Sequence, residues 1–256
     1  MKQIAICIPK GRNFVNSFVM SIFGIASFEQ HNPDFHINFY IKNQPFLVNE
    51  HDVSKYKRIG EARTELVEMA LADNMDYIWF IDDDMELPID TLSRLFAHDK
   101  DYITGLGFMK KPPFFPTIFN SKTFRNKEDN SIRQVYLHYF DYPKELFEIE
   151  GAGLFNALIK TDVFRKIRKP YFDTPEANKA SHIGEDISLS RRLWEAGIKM
   201  YCDPTIISGH TIFDKDGKDT GTQVVEEDFK KCISDIDPKI LEKYKNGLLE
   251  KDFKNG

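Results

Sequence analysis

Cysteine is scarce. Cys7, Cys202 and Cys232 are odd in number, far apart and form no CxxC pair. That excludes a disulfide framework and a thiolate zinc site, and it suits a reducing, cytoplasmic setting. No apolar run approaches the ~18 residues that a membrane helix needs. The N-terminus lacks an h-region and cleavage pattern, so no signal peptide is expected. Basic charge is not in excess: the net charge is −5, so the surface as a whole does not suit a polyanion, although a local patch still could. There is no internal repeat and no low-complexity tract.

What the chain does have is apolar and aromatic substance. Of its 256 residues, 41% are hydrophobic, with 22 Phe and 10 Tyr. That supports a real core in one large α/β domain, or one domain with an appendage, and points to aromatic packing. Residues 4–8 read as a strand closed by Pro9 and Gly11, with Cys7 as a small core residue. Phe14, Val15, Phe18, Val19, Ile22 and Phe23 recur at helical spacing. Residues 35–41 alternate as a strand, 59–72 read as a helix, and 77–81 as a buried strand. Pro88 suits the first turn of a helix reaching about His98, and 102–108 form a further strand. Strand and helix in alternation predict a parallel sheet with crossover helices, whose ligands sit beyond the carboxyl ends of the strands.

Residues 110–150 break the rhythm. Pro112 to Pro116 is stiff and aromatic, shaping a pocket or serving as a rigid connector. Residues 121–131 are expected to be exposed, and 132–140 to be a hairpin strand. A core-like segment follows at 154–159, and Thr161 is expected to cap a short helix. Another helix opens at Gly184 and ends at Gly197, a strand at 199–202 precedes Pro204, and two short amphipathic helices lie near 224–233 and 238–249. Trp194 beside Leu193 reads as core. The basic run Arg165 to Lys169 reads as a solvated helix end, with an anionic acceptor left open.

The strand Tyr77-Ile78-Trp79-Phe80-Ile81 delivers Asp82-Asp83-Asp84 to its end. Three adjacent like charges repel, and any that lose water need a cation or donor. On an extended backbone Asp82 and Asp84 would share one side, roughly 7 Å apart. One could then meet a ribose and the other a metal; an acidic loop capping the next helix is the plainer alternative. Further along stand Arg58-Ile59-Gly60-Glu61-Ala62-Arg63, Gly184-Glu185-Asp186, Ser190-Arg191-Arg192-Leu193-Trp194-Glu195-Ala196-Gly197 and Ser208-Gly209-His210-Thr211.

Taken in order, these motifs resemble a metal-dependent (Asp-x-Asp) nucleotide-sugar glycosyltransferase of the GT-A fold, in the style of the inverting family two, over about residues 2–213. The resemblance implies an α/β, Rossmann-like, mostly parallel central sheet with flanking helices, a small hairpin insertion and a short helical C-terminal tail. It divides the chain at about 1–109 (nucleotide half), 110–213 (acceptor half) and 214–256 (flexible loop and helices). It implies a hexosyl- or pentosyltransferase using Mn²⁺ or Mg²⁺ and a nucleotide-diphosphate sugar, a UDP-sugar first. Asp84 and His210 would bind the metal, and the His nitrogen tilts the choice toward manganese. Asp82 would contact ribose or base, and Asp83 would join the donor site or be structural. Pro9, Lys10, Arg12 and Arg63 would lie near the nucleotide. Lys215 and Lys218 would belong to a segment ordering over the diphosphate. Asp186 would be the catalytic base, with Glu185 as the alternative base or acceptor holder. The acceptor is open: saccharide, protein, lipid head group or nucleic-acid base, including a modified base in DNA. A nucleotidyltransferase is the competing enzyme, against which Ile8-Pro9-Lys10-Gly11-Arg12 is a thin phosphate loop. A non-catalytic nucleotide-binding module is a third reading. Each acid also has a plainer role as a helix cap, His210 as a satisfied loop histidine, and Arg63 as a solvent-facing arginine.

Overall fold

The computed structural model describes residues 1–11, 14–43, 54–125, 132–173, 184–214 and 218–246. Arg12 and Lys215 fall outside them. The chain is a mixed α/β protein around a large, mostly parallel sheet, with seven helices among the described residues.

In chain order the first half comprises β1 (Lys2–Lys10), α1 (Asn16–Glu29), β2 (Phe35–Asn43), α2 (Ser54–Ala72), β3 (Tyr77–Ile81), β4 (Met85–Glu86), α3 (Thr91–Ala97) and β5 (Tyr102–Leu106). The hairpin insertion holds β6 (Ile118–Arg125), β7 (Ile132–His138), β8 (Phe147–Ile149) and β9 (Gly151–Ala152). Then come β10 (Asn156–Lys160), α4 (Thr161–Lys166), α5 (Glu185–Glu195), β11 (Met200–Ile207), β12 (Gly209–Phe213), β13 (Asp219–Val224), α6 (Glu226–Asp235) and α7 (Pro238–Lys245).

The central sheet runs β2-β1-β3-β10-β5-β11-β8. β1 is parallel to β2 and β3, and β11 is parallel to β5. β3 and β5 are fully buried strands, which is why they read as unbroken apolar runs. One face packs Ala5, Cys7, Ile78 and Phe80 against Leu66, Val67 and Ala70 of α2. The other packs Ile4, Ile6, Trp79 and Ile81 against Phe18 and Ile25 of α1 and Leu92 and Leu95 of α3.

β10 is antiparallel to both neighbours, with Asn156 opposite Ile81 at the carboxyl end of β3. After β5 the chain builds the insertion before entering β10 at that same end, so β10 must run the other way. The buried Asn156 ties β10 to β3 and to the β11–β12 junction. Its Oδ1 accepts the Trp79 indole N–H (2.8 Å), and its Nδ2 donates to Ser208 Oγ (3.1 Å). Beside it Gly105 leaves no room for a side chain, since a Cβ would lie 2.6 Å from Ile206 O. Asn156→Ala orphans the indole N–H and opens a gap, and a loss of about 2–4 kcal/mol is expected. Urea unfolding checks this; a midpoint unchanged from the parent would contradict it.

Five local expectations are corrected. The helix after Pro88 begins only at Thr91, whose N–H and Oγ1 both bond Pro88 O. Residues 118–125, expected in part as an exposed polar stretch, form β6, paired to β7. Thr161 does not cap α4: Lys160 holds the cap position without a side-chain bond, and Thr161 Oγ1 is buried without a partner. Trp194 is 58% exposed, because α5 turns Leu189 and Leu193 inward and Trp194 outward. β11 also continues through Pro204, with a register shift between Asp203 and Ile207. Beyond β12, β13 adds a strand to it, Phe229 of α6 stacks on Phe108 (5.7 Å), and Tyr244 of α7 meets Phe115 (5.0 Å).

Candidate active site

The acid triplet lies where β3 stops. It is a turn into β4, closed by Met85 N–H donating to Asp82 O (3.3 Å). The expected extended geometry, with two acids sharing one side, does not hold. The turn instead sends each carboxylate to its own partner.

Asp84 faces two basic side chains. Its carboxylate pairs with the Lys110 ammonium through Oδ2, and Oδ1 lies 3.3 Å from His210 Nε2. His210 Nδ1 is 2.8 Å from Phe108 O, and since a carbonyl only accepts, Nδ1 carries the proton. Nε2 is then the ring atom left facing Asp84, so both groups aim at the same small space. Two adjacent ligands of an octahedral ion are about 3 Å apart, close to the spacing found. Asp84 and His210 could offer two such ligands to a divalent metal. Among the described residues no group of three His, Cys, Asp or Glu gathers for a metal. β4 and β12 position this pair: His210 sits opposite Met85, and Thr211 N–H donates to Asp84 O (2.9 Å). Burial raises the Asp84 carboxyl, but the charges and hydrogen bonds of His210 and Lys110 outweigh it and hold it well below the usual range.

Asp82 belongs to a second group. Arg63, on α2 and only 3% exposed, donates to Asp82 Oδ1 (2.7 Å) and Glu185 Oε1 (2.5 Å). It is a buried bridge, not a solvent-facing arginine. Glu185 opens α5 and is buried. Asp186, beside it, turns back to accept from Ile187 N–H (2.7 Å) at the positive end of α5. Burial raises both carboxyls against the opposing pull of Arg63. For Glu185 the rise reaches about 7.

Asp83 accepts the Gly11 N–H (2.9 Å), tying the first strand's loop to the acid turn. Pro9 pairs in register with Lys42 at the sheet's end. Lys10 lies over the Phe14 ring (4.9 Å). Lys218 is exposed, and its backbone N–H closes a turn onto Asp214 Oδ1 (2.8 Å). Lys110 was not singled out from the sequence. Its signal was a lysine pair at the mouth of the stiff 112–116 stretch, just beyond a strand end.

No family model matches this sequence, and no curated protein matches it. Solved structures do resemble it. A197 from STIV is 16% identical, with 86% of this chain and 93% of that chain covered and a TM-score of 0.48. A Drosophila β1,4-galactosyltransferase 7 mutant, in complex with manganese, UDP-Gal and xylobiose, is 14% identical, with 80% and 66% covered and a TM-score of 0.44. A glycosyltransferase involved in glycosylation of the major capsid of PBCV-1 is 12% identical, with 68% and 71% covered and a TM-score of 0.33.

Proposed function

We propose that this chain is a metal-dependent glycosyltransferase of the GT-A type, moving a sugar from a nucleotide-diphosphate sugar to an acceptor hydroxyl with inversion. The observation that carries this is the meeting of Asp84 and His210, distant in sequence, at the carboxyl end of β3. That is where ligands of open parallel sheets sit. Mn²⁺ or Mg²⁺ held there supplies Lewis-acid stabilisation of the departing diphosphate, with the His nitrogen favouring Mn²⁺.

The chain's own residues supply the rest. Arg63 fixes Asp82, which takes the ribose or base. Asp83 holds the first-strand loop at Gly11, bringing Pro9 and Lys10 to the nucleotide's edge. Glu185 is engaged by Arg63, which leaves Asp186 as the base. Asp186 takes the acceptor proton as the oxygen bonds the anomeric carbon. The bond from that carbon to the diphosphate breaks, and its electron pair leaves on the diphosphate. In this reading residues 1–109 hold the nucleotide and 110–213 the acceptor.

A thermal-shift panel of nucleoside diphosphates and nucleotide sugars, with and without Mn²⁺, tests the proposal. The matched donor at ~100 Kd adds about 2.7 kcal/mol, and the gain depends on metal. A panel in which no nucleotide shifts the transition would overturn it.

A further inference from the structure

We propose that Lys110 competes with the divalent cation for Asp84 and, once displaced, becomes a ligand of the donor's diphosphate. This rests on the metal site proposed above. Lys110 and His210 reach the same carboxylate, one at Oδ2 and the other at Oδ1. A divalent ion seated between Asp84 and His210 therefore faces an ammonium held on the same carboxylate, and like charges at such range repel. The side chain, not the backbone, yields.

The loop carrying Lys110 is pinned on both sides. Met109 N–H donates to Phe115 O (2.9 Å), Phe114 N–H to Lys111 O (2.9 Å) and Thr117 N–H to Gly107 O (2.9 Å). Phe108 O, two residues before Lys110, holds the His210 ring. A displaced ammonium thus keeps its anchor and swings on a flexible four-carbon stem. It lies 5.0 Å from the centroid of the Phe213 ring, at the end of β12, so its sweep stays beside the metal site.

The charges support the exchange. Asp84 and Lys110 together are neutral. With the metal added, the group carries two positive charges, matching the two negative charges of a nucleotide sugar's diphosphate. Lys110 thus keeps the acid from being an uncompensated charge, and afterwards completes the clamp on the leaving group. Its role is positional on the metal and direct on the diphosphate.

Lys110→Met keeps the stem and removes the charge, and Lys110→Arg keeps the charge. Mn²⁺ binding without nucleotide, read from the free-ion EPR signal, is expected to tighten by about tenfold or more in the Met variant and to return toward the parent in the Arg variant. At saturating Mn²⁺, calorimetry with UDP is expected to show about tenfold weaker binding for the Met variant. A merely structural lysine moves neither quantity in these opposed directions. Equal Mn²⁺ affinity in parent and Met variant overturns the competition. Tighter Mn²⁺ with unchanged UDP affinity overturns the diphosphate role. Mn²⁺ binding indifferent to both Asp84→Asn and His210→Ala overturns the metal site itself, and the inference with it.

Discussion

Asp186→Asn is expected to lower sugar-transfer turnover by about 10²–10⁴-fold while donor affinity stays nearly unchanged. The side chain's hydrogen bond is local, from Ile187 N–H, and asparagine's carbonyl oxygen can still accept it. Only basicity is lost, and that loss belongs to the transition state. Because burial raises this carboxyl against the pull of Arg63, the acid limb of kcat/KM should lie above the ordinary carboxylate range. The base works ionised, so activity falls as pH drops through that limb. Steady-state kinetics measure both effects, and proton NMR of the product reads the anomeric configuration. Near-normal turnover in the Asn variant, or retention, would contradict the assignment.

Arg63→Met is expected to cost about 3–5 kcal/mol of stability, because it strands a buried carboxylate that the guanidinium now satisfies. The arm to Glu185 dominates. Glu185 is buried, whereas the Asp82 side chain is 32% exposed and its pair is partly screened by solvent. The double variant Arg63→Met with Glu185→Gln should recover a measurable part of the loss, since removing the stranded charge removes its penalty. Urea unfolding of the four proteins closes this cycle. A single Met variant as stable as the parent would contradict the bridge. Its nucleotide affinity should also fall, because Asp82 loses its anchor.

The scaffold was legible because buried strands need unbroken apolar runs. Tyr77 to Ile81 and the β1 run announced the sheet's centre, and Gly197, at φ +71, ended α5 as a C′ glycine should. The resemblance set Asp84 and His210 together, and the structure brings their side chains to 3.3 Å. What could not be read was what tertiary folding decides. The acid triplet bends into a turn because β4 must pair with β12, which replaces the even spacing of an extended strand. Lys110 matters only because its loop folds back over β12. Arg63 carries the same letters whether it faces solvent or bridges two acids. Trp194 reads as core by its chemistry, yet the inward face of α5 was already filled by Leu189 and Leu193.

The most direct measurement is anomalous diffraction from crystals grown with Mn²⁺ and a nucleoside diphosphate. The metal is expected within about 2.0–2.3 Å of an Asp84 carboxylate oxygen and His210 Nε2, with His210 Nδ1 still on Phe108 O and diphosphate oxygens completing the shell. Manganese bound elsewhere, with Asp84 and His210 taking no part in holding it, would contradict the site and the chemistry drawn from it.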